Sequence, residues 1–295
     1  NDRAARFPPG IIPMNSMLQQ MLDRYACRNA AESVNALREV MQELALLGLW
    51  RSKFFEQAAF YGGTALRIAY GLNRSSEDLD FSLLKPNSEF RLTSYAEALK
   101  NELSAFGFAV EFVAKEKNHA FNIDTAFLKG NTRILLISIG LPSSLTDKIY
   151  AQKELKIKFE IDLDPPPGFT TEVRTLLHPI PHSVRLYALP DLFAGKLHAV
   201  LCRRWLNRSK GRDWYDLVWY AAHHPAVNLN HLEQRMRYSG DYNYENSLTL
   251  ETLKNLLHDA INKIELEQLR KDVILFLRDP QELQVWSKDF FRQVI

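Results

Sequence analysis

The stretch YGGTALRIAYGLNRSSEDLDF, residues 61–81, constrains the fold of this chain more than any other. Gly62 and Gly63 let the backbone turn tightly and approach a ligand with no Cβ in the way. Thr64 then opens a helical run, where free N–H groups and the helix dipole favour an anion. Ala65, Leu66, Ile68 and Ala69 keep helical spacing, and Gly71 supplies a C-terminal stop. Leu79–Leu84 reads as a strand. Asp78 and Asp80 share one of its faces while Leu79 and Phe81 pack behind. Two like charges held so close are costly unless a cation sits between them. Hard oxygen donors suit Mg2+, which keeps waters and takes further ligands from substrate phosphates. A lone Gly-Gly-Thr is an ordinary strand-to-helix turn, and a lone Asp-x-Asp is a solvated face. Together they describe a phosphate cradle opposite a pair of metal-binding carboxylates.

The surrounding pattern predicts an α+β fold. Residues 14–60 repeat apolar positions at three and four, as in Leu37, Val40, Met41, Leu44 and Leu47, and are expected to be helical. Glu97–Phe106 reads as a further helix. Phe108–Ala114, Arg133–Leu141 and Val184–Tyr187 read as strands. In Lys156–Asp164, Ile157, Phe159, Ile161 and Leu163 alternate with Lys156, Lys158, Glu160, Asp162 and Asp164, so one face is apolar and the other polar. Pro165-Pro166-Pro167-Gly168 ends that strand. From Leu189-Pro190-Asp191 onward the pattern is almost wholly helical, including Leu248–Ile264, Glu265–Leu277 and Gln281–Ile295. Two domains are expected: residues 1–175 with the N-terminal helices and the sheet, and residues 176–295, helical, with the change falling between 165 and 188.

The polar face of the Lys156–Asp164 strand supplies a third carboxylate, and spacing alone leaves Glu160 and Asp162 as equal candidates. Three acids on neighbouring strands can hold two metal ions, one for the attacking oxygen and one for a triphosphate. Phosphoryl and nucleotidyl transfers consist mostly of positioning and charge stabilisation, so this equipment suffices for them. Lys196 lies on a helix with Arg203 on the same face, placed to reach a triphosphate as a point charge. Asp213 and Asp216 follow at three-residue spacing, and Arg212 is spaced to pair with Asp216. Arg203, Arg204, Arg208, Lys210 and Arg212 form a basic loop interleaved with Trp205, Trp214 and Tyr215, a mixture suited to phosphate contact and base stacking on RNA. The same composition fits a solvated loop whose aromatics belong to a helical core.

These residues resemble a known family. Tyr61-Gly-Gly-Thr-Ala-Leu-Arg67 followed by Arg74-Ser-Ser-Glu-Asp-Leu-Asp-Phe81 is similar to the AbiEii/AbiGii-type nucleotidyltransferase toxins of the DNA polymerase β-like superfamily. Ala188-Leu-Pro-Asp-Leu-Phe-Ala-Gly-Lys196, Arg203-Arg204 and Arg212-Asp213-Trp-Tyr-Asp216-Leu217 extend the resemblance over roughly residues 55–225. Gly63-Thr64 stands where the superfamily has Gly-Ser. The resemblance implies a polymerase β-like mixed sheet with flanking helices, followed by a mostly helical domain. It further implies an Mg2+-dependent transfer of NMP from an NTP, with Gly62, Gly63, Thr64 and Lys196 on the nucleotide. Asp78, Asp80 and Glu160 would hold metal, Glu160 is favoured over Asp162, and Asp213 is favoured over Asp216 for activity. A cognate antitoxin, a role in toxin–antitoxin or abortive phage defence, and an RNA acceptor such as a tRNA 3′ end follow from the same resemblance.

Other classes receive less support. The net charge of +2 requires any nucleic-acid contact to be local. Two cysteines without C-x-x-C spacing argue against a disulfide framework or zinc finger and fit a reducing compartment. His178 and His182 are separated by prolines that prevent a helical metal pair. Neither a membrane span nor a signal-peptide core is apparent, so a cytoplasmic protein is expected. The rival readings are a small-molecule nucleotidyltransferase of the aminoglycoside-modifying kind and a non-catalytic nucleotide or RNA binder. The intact Asp78/Asp80 pair argues against the last.

Overall fold

A computed structural model describes residues 16–115, 122–138, 146, 153–203, 210–223 and 226–295. Strands β1 (Ala58–Tyr61), β2 (Leu79–Leu83), β3 (Glu111–Ala114), β4 (Ile123–Asn131), β5 (Glu154–Asp162), β6 (Thr171–Leu176) and β7 (His182–Tyr187) form one mixed sheet in the order β3-β4-β5-β2-β1-β7-β6. The centre is β5-β2-β1-β7: β2 runs parallel to β5 and antiparallel to β1, and β1 runs parallel to β7. The alternation read in the sequence fixes one side of β5, where Leu155, Ile157, Phe159 and Ile161 are buried.

Helix α1 (Ser16–Asp23) precedes the long α2 (Ala30–Arg51), whose Asn29 cap accepts the Glu32 N–H at 2.9 Å. Leu37, Val40, Met41, Leu44 and Leu47 are fully buried, and each contributes about 1.5–3 kcal/mol by leaving water. Helix α3 (Gly62–Tyr70) ends at Gly71, which adopts φ +79 and returns its N–H to the Arg67 carbonyl. Helix α4 (Ala96–Ala105) packs on α2.

Residues 58–60, expected to be helical, belong to β1 at the centre of the sheet, because Ala58, Ala59 and Phe60 are buried on both sides. Residues 133–138, expected within a strand Arg133–Leu141, belong to helix α5 (Thr132–Ser138). Its Asn131 side chain accepts the Ile134 N–H at 3.1 Å, Leu135 and Leu136 are buried side by side, and Ile134 is 60% exposed. The strand there is the preceding β4, paired with β5 along nine residues. Residues 139–141 lie outside the described set.

The sheet continues through β7, so residues 176–187 pack with the first apolar cluster and the helical part begins at Leu189. Helices α6 (Leu189–Cys202), α7 (Gly211–His223), α8 (Leu229–Tyr238), α9 (Leu250–Lys263), α10 (Leu266–Val273) and α11 (Lys288–Val294) enclose a second apolar cluster around Trp214, Leu217, Ile261 and Phe291. Residues 281–283, expected within a C-terminal helix, lie instead in a short 3-10 turn that starts at Pro280. Helix α6 bridges the clusters: Leu192 belongs to the first, and Ala194 and Leu197 belong to the second.

Candidate active site

Strand register decides which carboxylates are neighbours. Tyr61 lies opposite Asp80, Asp80 lies beside Glu160, and Ser82 lies beside Asp162. Asp78, Asp80 and Glu160 line one cleft of about 390 Å³. Asp162, one residue pair further along β5, is not part of that wall, and its Oδ1 accepts the Asp164 N–H at 3.0 Å. Burial, reinforced by the charges of Asp78 and Glu160, pushes the Asp80 carboxyl up to about 7. Asp78 is raised as well, first by burial and then by Glu77 and Glu160, with Lys158 opposing. Lys158 projects from the same face of β5 as Glu160 and places its Nζ 2.6 Å from Glu160 Oε1.

The start of α3 forms the next wall. Gly62 adopts φ +82, and a Cβ there would sit 2.5 Å from Asp80 Oδ2. At Gly63 a Cβ would meet Arg74 Nη2 at 2.6 Å. Tyr61 enters the helix extended and provides no side-chain cap, so the first-turn N–H groups remain available beside the cleft. Thr64 is 1% exposed. Its hydroxyl donates to the Asp78 carbonyl and lies 2.8 Å from the Ser76 hydroxyl, while Ser76 is the hydroxyl that lines the cleft. Thr64 therefore ties the helix start to the approach of β2. Gln42 of α2 does the same from the other side, donating to the Ser76 and Glu77 carbonyls at 3.2 and 3.0 Å.

Helices α6 and α7 supply the cationic wall. Lys196 Nζ lies 2.7 Å from Asp213 Oδ1 and 2.8 Å from Asp216 Oδ2. Asp216 also receives Arg74 in a two-pronged contact at 2.7 Å on each oxygen, and both residues of that pair are buried. Arg203 Nε approaches Asp213 Oδ2 at 3.4 Å. Although burial opposes it, the surrounding Lys196, Arg203 and Arg74 charges leave the Asp213 carboxyl below its ordinary value. Asp213 faces the cleft and Asp216 does not.

The fold thus brings Gly62, Gly63, Asp78, Asp80, Glu160, Lys196 and Asp213 to one cleft, with Arg203, Lys210 and Arg212 on its rim. Arg204 and Arg208 lie outside the described residues, as does Trp205. The expected Arg212–Asp216 pair is not formed: Arg212 lies 3.4 Å from Glu77 and 4.2 Å over the Phe276 ring, because Arg74 and Lys196 occupy Asp216. Trp214, considered for base stacking, is a core residue packed on Phe291. The sequence reading missed Arg74 as the anchor of the ion-pair network, Lys158 as the cation beside the acids, and Arg235 of α8, which also lines the cleft. Arg74 sits inside the quoted motif and Lys158 two residues before Glu160. Arg235 carries no local signal.

An all-oxygen carboxylate floor, electrostatically strained by its own charges, fits a hard divalent cation. The facing cations fit a polyphosphate. No helix among the described residues is long and apolar enough to cross a membrane.

Residues 44–293 match the family described as nucleotidyl transferase AbiEii toxin, type IV toxin–antitoxin system. Among solved structures, the chain is similar to a candidate nucleotidyltransferase from H. pylori, with TM-score 0.48 and 19% identity over 87% of this chain and 89% of that one. It is also similar to JHP933 from Helicobacter pylori, with TM-score 0.47 and 18% identity over 87% and 86% of the two chains. No curated protein matches.

Proposed function

The chain belongs to the AbiEii nucleotidyltransferase toxin family of type IV toxin–antitoxin systems, and on that premise we propose that its cleft binds an NTP with Mg2+ and passes the NMP to a hydroxyl of RNA. The observation that supports this best is the juxtaposition of Asp78, Asp80 and Glu160 with Lys196 across one cleft. Mg2+ held by the three carboxylates would neutralise phosphate charge and lower the cost of deprotonating the acceptor hydroxyl.

The chain's own groups carry the rest. Gly62 and Gly63 leave room for phosphates against the first-turn amides of α3, and Ser76 adds a hydroxyl. Lys196 spends two of its three N–H donors on Asp213 and Asp216, which aims the third at the phosphates. Asp213 is therefore a positioning residue for Lys196 and Arg203. The acceptor oxygen bonds to the α-phosphorus, the bond to the β-phosphate oxygen breaks, and pyrophosphate leaves. Glu160, partly exposed on the wall, accepts the hydroxyl proton.

Arg203, Lys210 and Arg212 on the rim, with Arg204 and Arg208 between them in sequence, favour a polyanionic acceptor such as the 3′ end of a tRNA. A type IV system implies an antitoxin as genetic partner. The test incubates the chain with each α-labelled NTP, Mg2+ and total bacterial RNA, beside Asp80→Asn. Label on a discrete RNA band, lost in the variant, is expected. Pyrophosphate release without labelled RNA would replace RNA by a small hydroxylated acceptor. Absence of both would overturn the transfer.

A further inference from the structure

A second group of metal-ligating side chains lies on α6. His198 and Cys202 are one turn apart, so they share a helix face. Asp241 reaches the same point from the turn after α8. There Gly240 adopts φ +75, and the Asp241 N–H returns to the Met236 carbonyl at 2.8 Å. One ligand atom from each of the three residues lies within 4.8 Å of the other two, and all three residues are half-buried. The Ser239 hydroxyl stands between two of them, 3.0 Å from His198 Nε2 and donating to Asp241 Oδ2 at 2.7 Å.

We infer that His198, Cys202 and Asp241 bind a thiophilic divalent cation, zinc above all, apart from the carboxylate floor. One imidazole nitrogen, one thiolate and one carboxylate make a borderline-soft donor set, which suits Zn2+ or Co2+ and not Mg2+. Tetrahedral zinc bonds of about 2.0–2.3 Å place donors roughly 3.3–3.8 Å apart, so side-chain rotations of about an ångström complete the site. Three protein ligands leave a fourth position for water.

Such an ion would clip the end of α6 to the turn after α8. Arg203, the residue after Cys202, is the cation that approaches Asp213, and His198 itself lines the cleft. Metal binding would thus set the position of Arg203 on the rim. The inference does not rest on the transfer reaction.

Co2+ titration of the purified full chain in excess Mg2+ tests it. The expected result is one Co2+ per chain, with a near-ultraviolet thiolate-to-cobalt charge-transfer band that zinc displaces. Cys202→Ser should abolish the band, and His198→Gln should weaken binding by about tenfold or more. Cys27→Ser and Asp80→Asn should keep it, since Cys27 is the other cysteine and Asp80 belongs to the carboxylate floor. Circular dichroism of each variant confirms that it is folded. No thiolate band in the parent chain, a band that survives Cys202→Ser, or unchanged affinity in His198→Gln would each overturn the site.

Discussion

Asp80 and Glu160 stand side by side on neighbouring strands and line the same cleft. The period-two alternation of β5 put Glu160 and Asp162 on one polar face, and nothing in that alternation separates them. The separation comes from strand register, which sets Asp80 beside Glu160 and leaves Asp162 beside Ser82. Glu160→Gln is therefore expected to lower nucleotide transfer by about 10²–10⁴-fold, the range for losing a proton acceptor. Asp162→Asn should stay within a few-fold of the parent, and single-turnover rates under saturating NTP would check both. The carboxyl of Asp80 also makes a stability prediction. Its value rises from an ordinary 3.8 to about 7 in the folded chain, so between those limits the folded state holds a proton that the unfolded state has lost. Stability contributed by Asp80 consequently falls as pH rises through that window and stays low above it. Asp80→Asn should melt higher than the parent at pH 8, by roughly 2–4 °C for each kcal/mol relieved, and should match it near pH 4. Melting curves at the two pH values, without divalent cations, measure this. A variant less stable at pH 8 would mean the Asp80 charge is better compensated than Lys158 and Lys196 allow.

At the scale of elements, helices with a clear apolar period were legible, as were the central strands β2 and β7, and the shortest central strand, β1, was not. β1 is four residues of Ala-Ala-Phe-Tyr, too short to break the helical period before it, and only its place between β2 and β7 makes it a strand. Residues 133–138 misled in the opposite sense, because a β-branched, apolar run reads the same in a strand and in a short buried helix. The ends of α3 were readable because glycine marks them physically: Gly62 at positive φ against Asp80, and Gly71 as the left-handed stop. Gly211 at the start of α7 is comparable, and its role depends on a distant partner. A Cβ there would lie 2.0 Å from the Leu269 carbonyl oxygen, and its N–H donates to Asp272 at 2.8 Å. Gly211→Ala should push α7 from α10 and cost about 1–3 kcal/mol of stability. Because Arg212 and Asp213 follow directly, NTP affinity should fall with it. Chemical denaturation and nucleotide titration of the same variant would check the coupling. Lost stability with unchanged affinity would show that α7 keeps its place at the cleft.

Across the whole molecule, the cleft exists because two apolar clusters meet at α6, and long-range polar contacts fix their relation. Arg74 crosses to Asp216, the Ser75 N–H donates to the Phe276 carbonyl at 2.9 Å, and Tyr215 reaches Glu282 at 2.6 Å. The segment between the glycine turn and the carboxylates is thus held by the C-terminal helices, and the sheet alone does not complete the cleft. Motif spacing announced both halves of that site, while the buried ion pairs joining them lie 142 residues apart in sequence for Arg74 and Asp216 and left no local pattern. The central claim is that this composite cleft transfers a nucleotide. It is tested most directly by supplying the chain and its acceptor RNA with the same NTP labelled at either the α- or the γ-phosphate. The account predicts that the α-label becomes bound to the RNA while the γ-label leaves as pyrophosphate, and that Asp80→Asn abolishes both events. Transfer of the γ-label to the acceptor, or α-labelling that persists in Asp80→Asn, would contradict it.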